Sequence, residues 1–333
     1  MPPMHPIDPT PRSIPVVVLV APDVLLLDLA AILEPLRLAN DWARARGAKA
    51  ADRFSVQCVG PKLLAQSSCA LSLANIAALP TTLPAGAWLI LPGSAPGATD
   101  YDGALALQCV SWLRAVGGQA AMRITVCSGA LLGARVGWLD DHQCTTHHDL
   151  IERLRAMAPR AHVAQDRIFV VDRTLATSAG ITAGLDLMLH LIGGVLGTAC
   201  ELALARDMVV YLRRAGGDPQ LSAFLARRNH LHPAVHRVQD AVTADLGGNW
   251  TLVSMARIAH VTPRHLARLF SQHAECSPAE YIERLRVARA RELLLDRKNS
   301  VEHAAAQAGF SGSQQLRRAW KTIYGGSPKA ARS

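Results

Sequence analysis

Hydrophobic positions near the end of the chain recur with helical spacing, and they do so twice. Leu266, Leu269 and Phe270 fall at i, i+3 and i+4, which places them on one face of a helix. Fifty positions later Leu316, Ala319 and Trp320 repeat the arrangement, with Ile323 one turn further on. Ala256 is matched by Ala306, Arg268 by Arg318, and Ser277-Pro278 by Ser327-Pro328, so the stretch is an internal repeat. Each copy reads as a short helix, a tight turn and a longer helix. Thr251 can cap a helix through Ile258, and Thr262-Pro263 supplies the cap and first-turn proline of the next. In the second copy a helix from Val301 stops at Gly309, and another begins near Gly312-Ser313. Between the copies, residues 278–296 carry Tyr281, Ile282, Leu285, Ala288, Leu293 and Leu294 and read as one helix. At about 1.5 Å per residue it spans roughly 28 Å.

The preceding two hundred residues follow a different rule. Residues 14–20, "IPVVVLV", are an uninterrupted apolar run rich in β-branched side chains, as expected of a strand buried on both faces. A helix follows over 28–46, with strands at 53–59 and 87–91, a helix at 102–116 and a strand at 123–126 that runs into another helix. Residues 167–172 and 174–177 read as a hairpin, and a long apolar helix follows Gly180. Strand and helix alternate, which predicts an α/β fold: a flavodoxin-like, doubly wound, mainly parallel sheet. An all-α domain of two helix-turn-helix motifs follows it. Residues 198–214 read as helix, and "AGGDPQ" at 215–220 breaks the pattern. The expected organisation is a disordered tail over 1–13, an α/β domain over 14–214, a linker over 215–232 and the helical domain over 233–333.

Charge sharpens the reading of the repeat. The 333-residue chain has a formal net charge of +9. Residues 231–333 hold fifteen Lys or Arg against eight Asp or Glu, so +7 of it sits there. A basic module points to a polyanion. The first copy leaves Arg264, His265, Arg268 and Gln272 outward, and the second leaves Gln314, Gln315, Arg317, Arg318 and Lys321. Arg and Gln can donate paired hydrogen bonds to base edges in a major groove, as recognition helices do. A single copy would be balanced by an ordinary bundle with a solvated basic face; two copies favour DNA. A spacer of this length could set both helices into major grooves roughly 34 Å apart.

A membrane surface would want a polybasic run or an amphipathic anchor, and the sequence has neither. The most apolar region, residues 187–200, is interrupted by His190 and is shorter than the roughly 20 residues a span needs. Seven cysteines without an export signal predict free thiols in a reducing cytoplasm.

One thiol stands out by position. Cys127 follows the strand "RITV" and opens a helix with Ser128-Gly129, where the positive end of the helix favours thiolate. A strand-turn-helix of this kind also pushes the side chain out at the sheet's carboxyl edge. Cys127 is therefore a candidate pocket residue, against the alternative of a small buried hydrophobe. In "DDHQCTTHHD", Cys144, His147 and His148 form one cluster with no partner pair at zinc spacing, so no metal is expected. His147 either lies near Cys127, where an imidazole can pair with a thiolate, or starts a helix and bonds its own backbone.

Two resemblances cover nearly the whole chain. "YIERLRVARARELL" and "AAAQAGFSGSQQLRRAWKTIYGGSP" resemble the AraC/XylS family of transcription regulators, with Gln315-Leu316 in place of a commoner aromatic pair. "DLAAILEPLRLAN", "LILPGSAPG", "VCSGALLGARVGWLDDHQCTTHHD" and "TLATSAGITAGLDLMLHLI" resemble the class I glutamine amidotransferase-like superfamily, in its intracellular-protease and deglycase branch. The second resemblance implies that Cys127, His147 and Asp28 match the family's cysteine, histidine and first-helix acid. They would stand here as vestiges, without the Cys-His-Glu triad of a glutamine hydrolase. It also implies that the turn at Gly93-Ser94 offers backbone N–H groups to an anion. Together the resemblances imply a one-component regulator, not an enzyme. A sensor domain would bind an amino-acid-derived or quaternary-amine metabolite among Asp28, Gly93, Ser94, Cys127, His147 and Ser178. Promoter DNA, a small-molecule effector, RNA polymerase and a second copy of the chain are the implied partners, with no cofactor. The competing expectation is a cysteine-dependent small-molecule hydrolase or hydratase fused to a DNA-binding module. A redox sensor through Cys127 is a third.

Overall fold

The computed structural model describes residues 13–47, 53–210, 214–218, 220, 223, 227–228, 230–296 and 298–328. The predicted tail therefore lies, apart from Ser13, outside the described residues. The chain divides into two compact units, the first ending at Gln220.

The first unit is built on a seven-stranded sheet. In chain order its strands are β1 (Ile14–Leu19), β2 (Phe54–Gly60), β3 (Ala77–Ala78), β4 (Trp88–Leu91), β5 (Met122–Val126), β6 (Phe169–Asp172) and β7 (Leu175–Ser178). In space they run β6-β7-β5-β4-β1-β2-β3. Only the β6–β7 hairpin is antiparallel. The helices are α1 (Leu26–Ala45), α2 (Ala104–Val116), α3 (Gly129–Arg135), α4 (Ile151–Met157), α5 (Ile181–Leu196) and α6 (Thr198–Asp207).

Alternation along each strand explains why helices cover both faces. Val16, Val18 and Ile90 point into a core with Leu29, Ile32 and Leu36 of α1 and Leu187, Met188 and Leu191 of α5. Val17, Leu19, Leu89 and Leu91 point into a second core with Val110 and Leu113 of α2, Leu131 of α3 and Leu154 of α4. The continuous apolar run in β1 is thus two half-faces interleaved. This is the predicted doubly wound, mainly parallel sheet, with the predicted elements in the predicted order.

One predicted helix is too long. The helix expected over 198–214 ends at Asp207. The amide of Met208 reaches Leu204, that of Val210 returns to Ala205, and Val209 between them takes the left-handed conformation with φ +52°. That closure satisfies the carbonyls of Leu204, Ala205 and Arg206 and ends the helix. Residues 211–213 lie outside the described residues, and 214–218 run along the sheet edge. Arg214 pairs with the buried Asp186 at 2.8 Å, and the amide of Ile168 donates to the carbonyl of Asp218.

The second unit is all helical: α7 (Pro233–Ala244), α8 (Leu252–Ala259), α9 (Pro263–His273), α10 (Pro278–Leu295), α11 (Val301–Gln307) and α12 (Ser313–Tyr324). The repeat survives as two helix-turn-helix motifs, α8–α9 and α11–α12. Their starts are set by side-chain caps. Thr251 accepts from the amide of Ser254 in a reciprocal capping box, Thr262 from that of His265, Ser277 from that of Glu280 and Ser300 from that of His303.

α10 belongs to both motifs. Tyr281, Ile282 and Leu285 in its first half are buried with Leu266, Leu269 and Phe270 of α9. Val287, Ala290 and Leu294 in its second half are buried with Leu316, Ala319 and Trp320 of α12. α10 and the turn of the second motif also reach the loop between α7 and α8. Arg286 donates from Nε to the carbonyl of Leu246 and from Nη2 to that of Gly248. Gly309, with φ +83°, brings its Cα so close that an added Cβ would lie 2.8 Å from the Leu246 carbonyl oxygen. Glycine is required there by both conformation and space.

Candidate functional site

The carboxyl ends of β4, β5 and β7 lie side by side, and the residues just beyond them form the candidate ligand site. Cys127 follows β5 directly. Its backbone has φ +55°, the strained elbow that turns a strand into a helix. Its amide donates to the carbonyl of Ser178 at the end of β7. The sequence "CSG" is what the elbow needs: a Cβ on Gly129 would fall 2.1 Å from the Leu91 carbonyl oxygen at the end of β4. Ser128 has no expectation attached to it in the sequence, yet it ties the elbow to the β4 turn. Its hydroxyl accepts from the amide of Ser94 and donates to the carbonyl of Ser94, at 2.9 and 3.0 Å.

Asp28 enters from the first turn of α1 and is fully buried. Its Oδ2 accepts from the amide of Gly93 at 3.0 Å. Burial raises its pKa to about 6, against the opposing pull of the Gly93 and Ile181 amides. Gly93 stands between Asp28 and Cys127: an added Cβ would lie 2.7 Å from Asp28 Oδ2 and 3.1 Å from Cys127 Cβ. On the far side, Cys127 and His147 flank Gly180, whose Cβ would lie 3.3 Å from Cys127 Sγ and 3.4 Å from His147 Cδ2. Asp28, Gly93, Ser94, Cys127, His147 and Ser178 are therefore gathered around one elbow.

Two expectations about this chemistry need correction, and one alternative left open by the sequence is decided. Cys127 is not poised as a thiolate. Burial first, and the charge of Asp28 second, push its pKa up to about 12, and the start of a seven-residue helix does not offset them. The amides of Gly93 and Ser94 are not free for an anion, since Asp28 and Ser128 already accept from them. His147 makes no hydrogen bond to Cys127 among the described residues. It caps the turn that follows, its Nδ1 accepting from the amide of Asp149 at 3.4 Å, and desolvation lowers its pKa. The helix-start reading of this histidine is the one the geometry supports, although the ring does stand near the thiol. His147, His148 and Asp149 offer three ligand atoms within 4.8 Å of one another, two of the three residues being exposed.

No sequence motif marks Thr146. It is fully buried, and its hydroxyl donates to the carbonyl of Cys127 at 2.8 Å. A threonine pair beside two histidines carries no motif that would have singled it out.

In the second unit the predicted outward residues lie where the spacing put them. Arg264, Arg268 and Gln272 on α9 are exposed and His265 is half-buried; Gln314, Gln315, Arg317, Arg318 and Lys321 on α12 are exposed. Some are already engaged. Arg268 Nη2 lies 3.2 Å from His265 Nδ1, Arg317 pairs with Glu302 at 3.2 Å, and Gln315 Oε1 accepts from the amide and hydroxyl of Ser311. Exposed pairs of this kind are weak and can be exchanged for phosphate or base contacts.

Residues 85–193 match the DJ-1/PfpI family, and residues 255–333 match a helix-turn-helix domain of AraC type. Over 224 residues the chain is 31% identical to the HTH-type transcriptional regulator GbdR of Pseudomonas aeruginosa, covering 67% of this chain and 60% of that one. It is likewise 31% identical over 210 residues to the HTH-type transcriptional regulator GlxA of Rhizobium meliloti, covering 62% and 64%. The aligned part thus spans less than two thirds of these relatives' lengths. Among solved structures, a ThiJ/PfpI family protein from Pseudomonas syringae superposes with a TM-score of 0.51 at 21% identity, over 78% of this chain and 95% of that one. That similarity is one of fold. No helix among the described residues is long and apolar enough to cross a membrane.

Proposed function

We propose, from a chain that joins a DJ-1/PfpI-family domain to an AraC-type helix-turn-helix domain, that this protein is a one-component transcription regulator. The observation that carries the reading is the pair of basic helices, α9 and α12, each packed on one half of the shared helix α10. Their Arg- and Gln-rich faces suit adjacent major grooves of one DNA face. The first unit would sense a small polar metabolite at the Cys127 elbow. Asp28, ionised above pH about 6, suits a cationic group there. An amino-acid-derived or betaine-like effector meets that requirement better than a hydrocarbon. A homodimer, contact with RNA polymerase and a cytoplasmic location belong to the same proposal. The raised pKa of Cys127 weighs against a cysteine nucleophile and so against the hydrolase reading.

The test uses the full-length protein, duplexes selected by it from a random-sequence pool, and a panel of amino acids and methylated amines screened for thermal stabilisation. A ligand at a hundred times its dissociation constant adds about 2.7 kcal/mol. Bound effector should change duplex affinity or promoter output by roughly 5- to 150-fold, the usual range of allosteric coupling. Asp28→Ala should lose that response and keep duplex binding. A reporter that responds normally after deletion of residues 1–214 would exclude the sensor role. Substrate turnover abolished by Cys127→Ser would point instead to an enzyme.

A further inference from the structure

Two hydrogen bonds in series tie the candidate site to the last residue of its unit. The hydroxyl of Thr146 donates to the carbonyl of Cys127 at 2.8 Å. The carbonyl of the same Thr146 accepts from Nε2 of Gln220 at 2.9 Å. Thr146 is also joined by one peptide bond to His147, which stands across Gly180 from the thiol. A group that enters beside Cys127 and His147 therefore acts on both sides of Thr146. Because Thr146 is fully buried, a shift of its hydroxyl end is carried to its carbonyl end rather than absorbed.

Gln220 is held differently from the residues before it. Arg214 is anchored on the buried Asp186, Gly217 accepts from Arg167, and Asp218 accepts from Ile168. Gly216 lies so close to Phe169 that a Cβ would meet its carbonyl oxygen at 2.7 Å. These anchors reach the β7 end of the site, where the carbonyl of Ile168 accepts from the amide of Ala179, between Ser178 and Gly180. At Gln220 the amide donates to Asp166 at 2.9 Å, and the side-chain Nε2 donates to the carbonyl of Thr146 at 2.9 Å and, more weakly, to the hydroxyl of Thr145 at 3.4 Å. Among the described residues 214–220, Gln220, the residue before the second unit begins, is the one hydrogen-bonded to Thr146.

We infer that Gln220 is a positioning residue that reports the state of the Cys127–His147 site to the start of the second unit, through Thr146. The inference rests on the sensor reading given above and names how that site would be read out. One hydrogen bond of this kind sets the size of the effect: its net contribution corresponds to about a 2- to 12-fold change in an equilibrium.

Full-length protein tests the relay, first without ligand or DNA. Amide hydrogen exchange is followed in wild type, Thr146→Val, Thr146→Ser and Gln220→Glu. Valine keeps the shape of threonine but lacks the hydroxyl; glutamate keeps the length of glutamine but lacks the donor. Thr146→Val and Gln220→Glu should each speed exchange at the Gln220 amide several-fold, Thr146→Ser should not, and amides of residues 252–295 should be unchanged. Wild-type exchange at Gln220 in Thr146→Val overturns the relay. The second arm measures affinity for a duplex selected by the wild-type protein. Gln220→Glu and Thr146→Val should each shift it by 2- to 12-fold, and the double variant by no more than either. Additive shifts, or none in Gln220→Glu, overturn the inference. Should Thr146→Val fail to fold, Gln220→Glu, at a half-buried position, still decides it by both readouts. A wild-type protein that selects no duplex overturns the regulator reading alone, and the exchange arm then decides the relay.

Discussion

Burial, and beside it the carboxylate of Asp28, keep the thiol of Cys127 protonated. Burial is the larger cause, and the charge of the acid adds to it. A pKa raised from 9.0 to about 12 leaves about a thousandfold less thiolate at neutral pH than an ordinary cysteine has. Iodoacetamide at pH 8 should therefore label the exposed Cys69 and leave Cys127 unmodified until the protein is unfolded. Asp28→Asn should hasten labelling of Cys127, since it removes one of the two causes. Peptide mass spectrometry against time reads both outcomes; rapid labelling of Cys127 in native wild type would contradict the geometry.

The same acid gives the first unit a pH dependence of definite sign. The folded pKa of Asp28 is raised from 3.8 to about 6, so between those values the folded state binds the extra proton. Stability from this group is present below pH about 4 and is lost as pH rises through about 6. The shift corresponds to about 3 kcal/mol. Wild type minus Asp28→Asn, compared by urea unfolding at pH 5 and pH 7.5, should show wild type losing ground at the higher pH. A difference that does not change with pH would mean that Asp28 titrates normally.

Duplex binding should depend on the two exposed arginines at matching places in the repeat. Arg268→Ala and Arg318→Ala should each weaken binding by about 1–3 kcal/mol if the lost contact is bidentate to a base. Affinity should fall steeply with salt, as phosphate contacts require. Fluorescence anisotropy at two salt concentrations measures both effects, and salt-insensitive binding would count against a nucleic-acid face.

The shared helix α10 fixes the distance between α9 and α12. Inserting about five base pairs between half-sites turns one to the opposite face of the duplex, at roughly 10.5 base pairs per turn. Binding should collapse, and partly recover with a full-turn insertion. If five added pairs change nothing, only one helix docks.

Two glycines of the second motif should respond differently to alanine. Gly309→Ala forces a Cβ to 2.8 Å from the Leu246 carbonyl oxygen at φ +83° and should cost about 1–3 kcal/mol. Gly312 has extended backbone and nothing within 4 Å, so Gly312→Ala should change stability by less than about 0.5 kcal/mol. Thermal unfolding of the two variants separates a packing role from a turn role.

Much of this was legible in the sequence because it is local. The caps at Thr251 and Thr262, the buried faces of α9 and α12 and the buried run of β1 are written in residue type and spacing, and the structure returns them nearly residue for residue. What was illegible depends on distant parts of the chain. The direction of the Cys127 pKa follows from burial and from Asp28, ninety-nine positions away, and a helix start is the only part of that balance a sequence displays. The amides of Gly93 and Ser94 look available until Asp28 and Ser128 are seen to accept from them. The early end of α6 turns on Val209, a β-branched residue in a conformation its type disfavours. Thr146 and Gln220, seventy-four positions apart, carry no motif at all.

Because each half of α10 is committed to a different core, this protein has little freedom to change the spacing between α9 and α12 by gaining or losing residues. One residue inserted near the middle of that helix would turn α11 and α12 by about 100° relative to α8 and α9 and advance them by about 1.5 Å. It would also drag Gly309 off the Leu246 backbone. If the chain binds DNA as proposed, the gap between half-sites should be inherited almost unchanged among close relatives. Divergence in what they bind would have to come from side chains such as Arg264, Gln272 and Gln314, or from the DNA itself.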